Sequence, residues 1–205
     1  MINRRDDIKA VIFDLGNVIV YFDHMIAAKK ISEFCSKSPE SIYSMFFSSA
    51  LAESFDSGII GEGDFFEEVK KVLGIDDRLN QEDFYEIWND IFWINESIIE
   101  IIKETKRLYG EFSIISNINK PHFEYIWQKF GLVREASKVV LSYEEGVLKP
   151  NKRIYKCALD LIGHLAPDVF YTDDRIELVT AAEEMGFKAV QFNDAVSLKQ
   201  HLFKS

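Results

Sequence analysis

Apolar and polar positions alternate between two kinds of pattern along this chain. Short apolar runs rich in β-branched and aromatic residues read as buried strands of a parallel sheet. They fall at Ala10–Phe13, Phe112–Ser116, Lys138–Leu141, Val169–Thr172 and Ala189–Phe192. Longer stretches with apolar residues at helical spacing follow the later runs, over Asn95–Tyr109, Lys120–Phe130, Pro150–Ile162, Glu177–Met185 and Ala195–Leu202. Gly110, Gly131, Gly163 and Gly186 stand as stop signals, and Pro150 is expected at the first position of its helix. Strands alternating with helices imply right-handed crossovers and one parallel sheet. The stretch after the first strand is different. Met25–Lys37, Pro39 to about Phe55 (with Ser38 as N-cap), Glu62–Leu73 closed by Gly74, and Asn80–Trp93 all read as helix. No strand is expected between 24 and 93. The pattern therefore predicts an α/β fold: a Rossmann-like five-strand parallel core from 1–22 and 95–205, with a small α-helical insertion, 23–94, after the first strand.

The 205 residues suffice for one large domain or a core with a smaller insert. Hydrophobic residues make up 47% and aromatics 14%, so a well-packed core is expected and disorder is not. The net charge of −10 argues against non-specific binding to nucleic acid or anionic membranes. It leaves room for a small anionic substrate, because a bound metal reverses the local potential. Cys35 and Cys157 are the only cysteines, too few for a disulfide framework or a cysteine zinc site. His24, His122, His164 and His201 form no local ligand motif. No apolar run approaches about 18 residues, so no membrane span is expected. The N-terminus, MINRRDDIKAV, lacks the apolar stretch of a signal peptide, and a cytoplasmic location is the expectation.

Candidate chemistry clusters at strand ends. Asp14 ends the first strand, Ser116-Asn117 the second, and Asp173-Asp174 the fourth, while Lys149-Pro150 opens a helix. In open α/β sheets the carboxyl ends of the strands are where ligands bind. Asp14 and Asp174 offer hard oxygen ligands for Mg²⁺, with Asp173 assisting directly or through water. Such a cation would relieve the repulsion between the carboxylates. The Ser116 hydroxyl and a following N–H suit phosphate oxygens, which makes Ser116 and Asn117 phosphate-binding candidates. Lys149 supplies a fixed positive charge to the same group. Phosphoryl transfer needs mostly positioning and electrostatic stabilisation. Asp14 is then free to act as nucleophile through its second oxygen.

The order of an apolar run followed by D-x-G, then S-N, then G-x-x-K-P, then D-D resembles the haloacid dehalogenase (HAD) superfamily, over the whole chain. The helical insertion resembles that superfamily's C1 cap. The wording FDLGNVIVYFD…ISN…LSYEEGVLKP…FYTDD is similar to the α-D-glucose-1-phosphatase-like subgroup. The resemblance implies a HAD fold with Asp14 as nucleophile and metal ligand, the Gly16 carbonyl as second ligand, Ser116 and Lys149 on phosphate, Asp174 on Mg²⁺ with Asp173 beside it, and Glu177 as an outer acidic residue. The implied partner is a small phosphate ester, such as a sugar 1-phosphate, with the oligomeric state open between monomer and dimer.

One departure stands out. Most HAD phosphatases carry a second Asp two residues after the nucleophile, as general acid and base, and here Gly16 stands there. Loss of such a group typically costs about 10²–10⁴ in rate. A good leaving group would lessen the need for it. Asp23 is the first candidate substitute, although N-capping of the helix over 25–37 is the more ordinary role for it. Metal-independent 2-haloacid dehalogenases of this fold also lack that Asp, but the Asp173-Asp174 pair suits Mg²⁺ better than a displaced halide. A non-catalytic protein that binds phosphometabolites is the remaining alternative. The aromatics of the insertion, Phe46, Phe47, Phe55, Phe65, Phe66, Phe84, Trp88, Phe92 and Trp93, are expected mainly as its core, with part of 46–56 or Glu53 facing substrate.

Overall fold

A computed structural model of the chain describes residues 2–47 and 49–204, apart from the side chains of Phe46 and Phe47, so those two expected core aromatics lie outside the described residues. In chain order its elements begin with β1 (Asn3–Arg4), β2 (Ala10–Phe13) and β3 (Val20–Phe22). Helices α1 (His24–Ile31), α2 (Pro39–Phe47), α3 (Ala50–Asp56), α4 (Glu62–Leu73) and α5 (Gln81–Asn89) follow. The chain continues through β4 (Phe92–Ile94), α6 (Ile99–Tyr109), β5 (Ser113–Ser116), α7 (Lys120–Lys129), β6 (Lys138–Leu141) and α8 (Ser142–Glu145). It ends with α9 (Lys152–Ile162), β7 (Val169–Asp173), α10 (Ile176–Glu184), β8 (Lys188–Gln191), α11 (Ala195–Leu202) and β9 (Phe203–Lys204).

Five strands make the expected parallel sheet, in the order β6-β5-β2-β7-β8. The chain runs outward from β2 through β5 to β6. It then returns to the other side of β2 at β7. The reversal opens a crevice beyond the carboxyl end of β2, the usual ligand site of such sheets. Both faces of the sheet are covered, which explains the near-continuous apolar strands. Val11 and Phe13 join one core cluster, with α6, α11 and the helical segment. Ile12, between them, joins the other, with α9 and α10. That is the two-residue alternation of a strand.

The structure corrects several local expectations. Phe92–Ile94 is a strand, paired antiparallel with Val20–Phe22, where only helix was expected. The helix before it stops at Asn89, and Phe92, Trp93 and Ile94 carry the aromatic and β-branched side chains that suit a pleated ribbon. The stretch from Pro39 to Phe55 is two helices, because the Ser49 side chain accepts from the Ala52 N–H and starts a second one. The first helix of the segment ends at Ile31 and leaves a single 3₁₀ turn, Ser32–Phe34. Pro150 lies outside its helix. Asn151 is the cap, accepting from the Arg153 N–H, and the helix runs from Lys152. The short α8 and the pairing of β1 with β9 were not expected. No helix among the described residues is long and apolar enough to cross a membrane.

Candidate active site

Asp14 is carried one residue past β2. Its N–H still donates to Thr172 O at 2.8 Å, so the ladder fixes the carboxylate at the sheet rim. The chain then folds back tightly. The N–H groups of Ile19 and Val20 both donate to Leu15 O at 2.9 Å. Asn17 sits at φ +56°, a left-handed conformation that Asn tolerates better than most residues. This turn points the Asn17 amide at Asp174, Nδ2 to Oδ2 at 3.0 Å.

Lys149 reaches the same place from the loop before α9. The Asn117 side chain clamps its backbone: Oδ1 accepts from the Lys149 N–H at 2.7 Å, and Nδ2 donates to the Lys149 carbonyl at 2.9 Å. The Lys149 ammonium then donates to Asp14 Oδ1 and to Asp173 Oδ2, each at 2.6 Å, in a site closed to solvent. Ile115 O and the Tyr171 hydroxyl, both at 3.2 Å, complete its surroundings. Tyr171 and Asp173 are two apart on β7 and share a face, and the Tyr171 hydroxyl donates to Asp173 Oδ2. The Arg175 N–H donates to the other Asp173 oxygen at 3.0 Å.

The carboxylates differ in character as a result. Burial pushes Asp14 up to about 7, against the pull of the Lys149 charge and with help from Asp173. Burial acts on Asp173 in the same sense, but Lys149, Tyr171 and the Arg175 N–H outweigh it and hold that group low. Asp174 is raised by burial, opposed by the Asn17 hydrogen bond. Burial works against the Lys149 charge, but its two carboxylates more than offset that and keep it protonated. The carboxylate oxygens of Asp14, Asp173 and Asp174 approach within 4.8 Å of one another. Oxygen donors this close suit a hard divalent cation. Asp14 and Asp174 each have one oxygen without a hydrogen-bond donor among the described residues, whereas both oxygens of Asp173 are engaged by protein donors. Asp173 therefore positions Lys149.

A cavity of about 420 Å³ opens over this cluster, lined by Gly16, Ser116, Asn117 and Lys149 from the rim and by Ser49, Glu53, Phe55 and Asp56 from the helical segment. Of the residues expected from sequence, the structure brings together Asp14, Gly16, Ser116, Asn117, Lys149, Asp173 and Asp174. The Asn117 side chain spends its Oδ1 and one amide N–H on the Lys149 backbone, which leaves its second amide N–H and its main chain on the cavity side. Asp23 does not line the cavity. It is exposed and caps α1, accepting from the Met25 N–H at 2.8 Å. Glu177 is exposed and paired with Arg175.

Sequence reasoning missed Tyr171, Asn17, Asp56 and His122. Only Asn17 carried a local signal, as a turn residue after the first strand. His122 is buried with both ring nitrogens occupied. Asn119 Nδ2 lies 3.1 Å from Nδ1 and Trp88 O lies 3.1 Å from Nε2, which fixes a neutral ring with its proton on Nε2. Burial, with His24 nearby, lowers its pKa well below the usual value. The missing side chain at position 16 has a spatial counterpart: a Cβ built at Gly16 lies 3.0 Å from Phe22 Cε1, so the ring of Phe22 fills the space beside it.

A buried lysine bridging two acidic groups at the carboxyl rim of a five-strand parallel sheet is the arrangement expected of a HAD-type hydrolase. A family model described as haloacid dehalogenase-like hydrolase matches residues 8–186, and the chain belongs to that family. Among solved structures, a HAD family enzyme from Bacteroides thetaiotaomicron, in complex with magnesium and inorganic phosphate, superposes with a TM-score of 0.78 at 20% identity, over 90% of this chain and 93% of that one. The L-2-haloacid dehalogenase from Xanthobacter autotrophicus superposes with a TM-score of 0.66 at 20% identity, over 90% and 77%. Drimenol cyclase drtB from Aspergillus calidoustus is 30% identical over 96 residues, 47% of this chain and 17% of that protein, so the match spans about a sixth of that relative's length.

Proposed function

We propose that this chain is a Mg²⁺-dependent phosphatase that hydrolyses a small phosphorylated metabolite, such as a sugar 1-phosphate, through an aspartyl-phosphate intermediate. The charge count at the rim carries the reading. Three carboxylates lie within 4.8 Å of one another, and one buried ammonium pairs with two of them, Asp14 and Asp173. The excess negative charge calls for a divalent cation, which a phosphoryl substrate needs and a halide displacement does not. The magnesium and phosphate bound by the Bacteroides relative support the same reading.

Asp14, the Gly16 carbonyl and Asp174 would hold Mg²⁺, which when bound neutralises and orients the phosphoryl oxygens. Asp14 attacks phosphorus with the oxygen that Lys149 does not hold. The Lys149 ammonium and the Ser116 hydroxyl stabilise the transferring group, and the bond to the leaving oxygen breaks. Water then attacks the aspartyl phosphate, releasing phosphate and restoring the Asp14 carboxylate. The helical segment 23–94 acts as a cap that closes over the cavity and excludes water.

Phosphate release from a panel of sugar phosphates, with Mg²⁺ and with EDTA, tests this. We expect release that requires Mg²⁺. Turnover surviving EDTA would remove the metal from the mechanism, and chloride release from 2-chloropropionate without Mg²⁺ would make the chain a dehalogenase. The apolar wall formed by Phe22, Phe55, Phe65 and Phe92 favours that second reading to the extent that it suits an uncharged organic substituent.

A further inference from the structure

A phosphatase that expels an alkoxide needs a proton donor at the leaving oxygen, and position 16 holds none. Phe22 also fills the space a side chain there would enter. The donor must therefore come from elsewhere on the cavity wall.

The wall carries few titratable groups. His24 is pushed down to about 4 by burial, opposed by Asp23, and so is neutral and carries no acid proton near pH 7. His122 is neutral with both nitrogens engaged. Lys149 is committed to Asp14 and Asp173. Arg175, at the mouth, is paired with Glu177. Glu53 and Asp56, both on α3, remain. Tyr143 and Glu144 lie on the short helix α8 packed against α3, and their side chains bond to each other, Tyr143 Oη to Glu144 Oε1 at 3.2 Å.

Glu53 is exposed, whereas Asp56 is held on three sides. Asn119 Nδ2 donates to Asp56 Oδ1 at 2.9 Å, leaving Oδ2 without a protein donor among the described residues. The Ser142 hydroxyl donates to the Asp56 carbonyl at 2.5 Å and itself accepts from the Ile118 N–H at 2.9 Å. Two residues on, Gly58 at φ +68° lets the chain pass against Tyr143, where a Cβ would lie 2.2 Å from the Tyr143 carbonyl oxygen. Asp56 is thus fixed to the loop after β5 and to the start of α8, above the rim that carries Ser116.

We propose that Asp56 is the general acid and base of this reaction, in place of the carboxylate absent at position 16; this rests on the phosphatase reading above. In the first step Asp14 forms the new P–O bond. The electron pair of the breaking ester bond goes to the leaving oxygen, which takes the Asp56 proton and departs as the alcohol. In the second step the Asp56 carboxylate removes a proton from water as the water oxygen bonds to phosphorus. The P–O bond to Asp14 breaks, phosphate leaves, and Asp56 is protonated for the next cycle. Its acidity fits the task, because burial pushes Asp56 up to about 6 against the pull of the Asn119 hydrogen bond.

The test compares wild type and Asp56→Asn, with Mg²⁺, on p-nitrophenyl phosphate and on glycerol 1-phosphate. A phenolate leaves without a proton and an alkoxide does not. We expect kcat/KM on the glycerol ester to fall by about 10²–10⁴ and on the nitrophenyl ester by less than about tenfold. The nitrophenyl reaction should then show a burst of one phenolate per enzyme, because water attack on the aspartyl phosphate has lost its base. Asp56→Ser should regain turnover of the glycerol ester in formate. Equal losses on both esters, no loss on either, or the same leaving-group dependence in Glu53→Gln instead would overturn the assignment. A wild-type enzyme that hydrolyses neither ester, nor any sugar phosphate, would instead sink the phosphatase reading, and the role of Asp56 with it.

Discussion

Replacing Lys149 with Met keeps most of the stem's volume and removes one charge. The ammonium of Lys149 lies 2.6 Å from Asp14 and 2.6 Å from Asp173, and its side chain is 1% exposed. Removing one partner of a buried ion pair typically costs about 3–5 kcal/mol. Here two carboxylates lose the same cation, which argues for the upper part of that range. A proton limits the loss: Asp14, already pushed up to about 7 by burial, rises further without Lys149 and takes one up. The penalty therefore grows as the pH rises above about 7, where wild-type Asp14 gives up its proton while the variant's Asp14 still holds one, and is smallest below that, where Asp14 is protonated in both and no longer repels Asp173. For a chain of 205 residues each kcal/mol moves Tm by about 2–4 °C. Thermal melts in EDTA should show Lys149→Met below wild type by about 6–20 °C near pH 8, with a smaller gap near pH 5.5. Added Mg²⁺ should raise Tm more in the variant than in wild type, since a second cation then faces the unpaired carboxylates. A Tm within about 2 °C of wild type near pH 8 would refute the account of Lys149 as the charge that holds this cluster together.

Further outcomes follow from the same geometry. Asp14→Asn should reduce phosphate release by about 10⁴-fold or more, read by malachite green, without lowering Tm in EDTA near pH 8, because it removes a carboxylate that burial disfavours. Asp56→Asn should be more stable than wild type at neutral pH. The folded carboxyl holds its proton up to about 6 and the unfolded one only to about 3.8, so wild-type stability falls as the pH rises between those values. The gap should be absent near pH 3.5 and reach about 1–3 kcal/mol near pH 7.5 by urea unfolding. Gly58→Ala should lower Tm by about 4 °C or more, since a Cβ would lie 2.2 Å from a backbone oxygen at a positive φ. An unchanged melt would show that the chain at 58 yields easily.

The sheet was legible because each strand is short, apolar and followed by a polar rim residue. Asp14, Ser116 and Asp173-Asp174 could be placed from that pattern alone. What was illegible depends on contacts between distant segments. The Asn117 amide closes on Lys149, 32 positions away, and nothing local distinguishes it from a helix cap. Asp56 meets Asn119 and Ser142 across the cavity, yet in sequence it is one more acidic residue before a Gly-containing turn. Phe92–Ile94 reads as a continuing helix until its pairing with Val20–Phe22 is known, because three residues are too few to show a period. Asp23 was the reverse case: local capping chemistry explained it completely.

The β3–β4 ribbon has a consequence for how this chain is assembled. Phe22 and Phe92 are paired across it, so the helical segment leaves and re-enters at adjacent points. Directly opposed residues on antiparallel strands sit about 4.5–5.5 Å apart, a gap that a two-residue turn also spans. The sheet therefore meets everything from 24 to 90 as though it were one long hairpin loop. Both crossings of the helical segment are thus gathered at one edge of the rim, and a change within the segment reaches the sheet through β3 and β4 and through the contacts of Asp56 with Asn119 and Ser142.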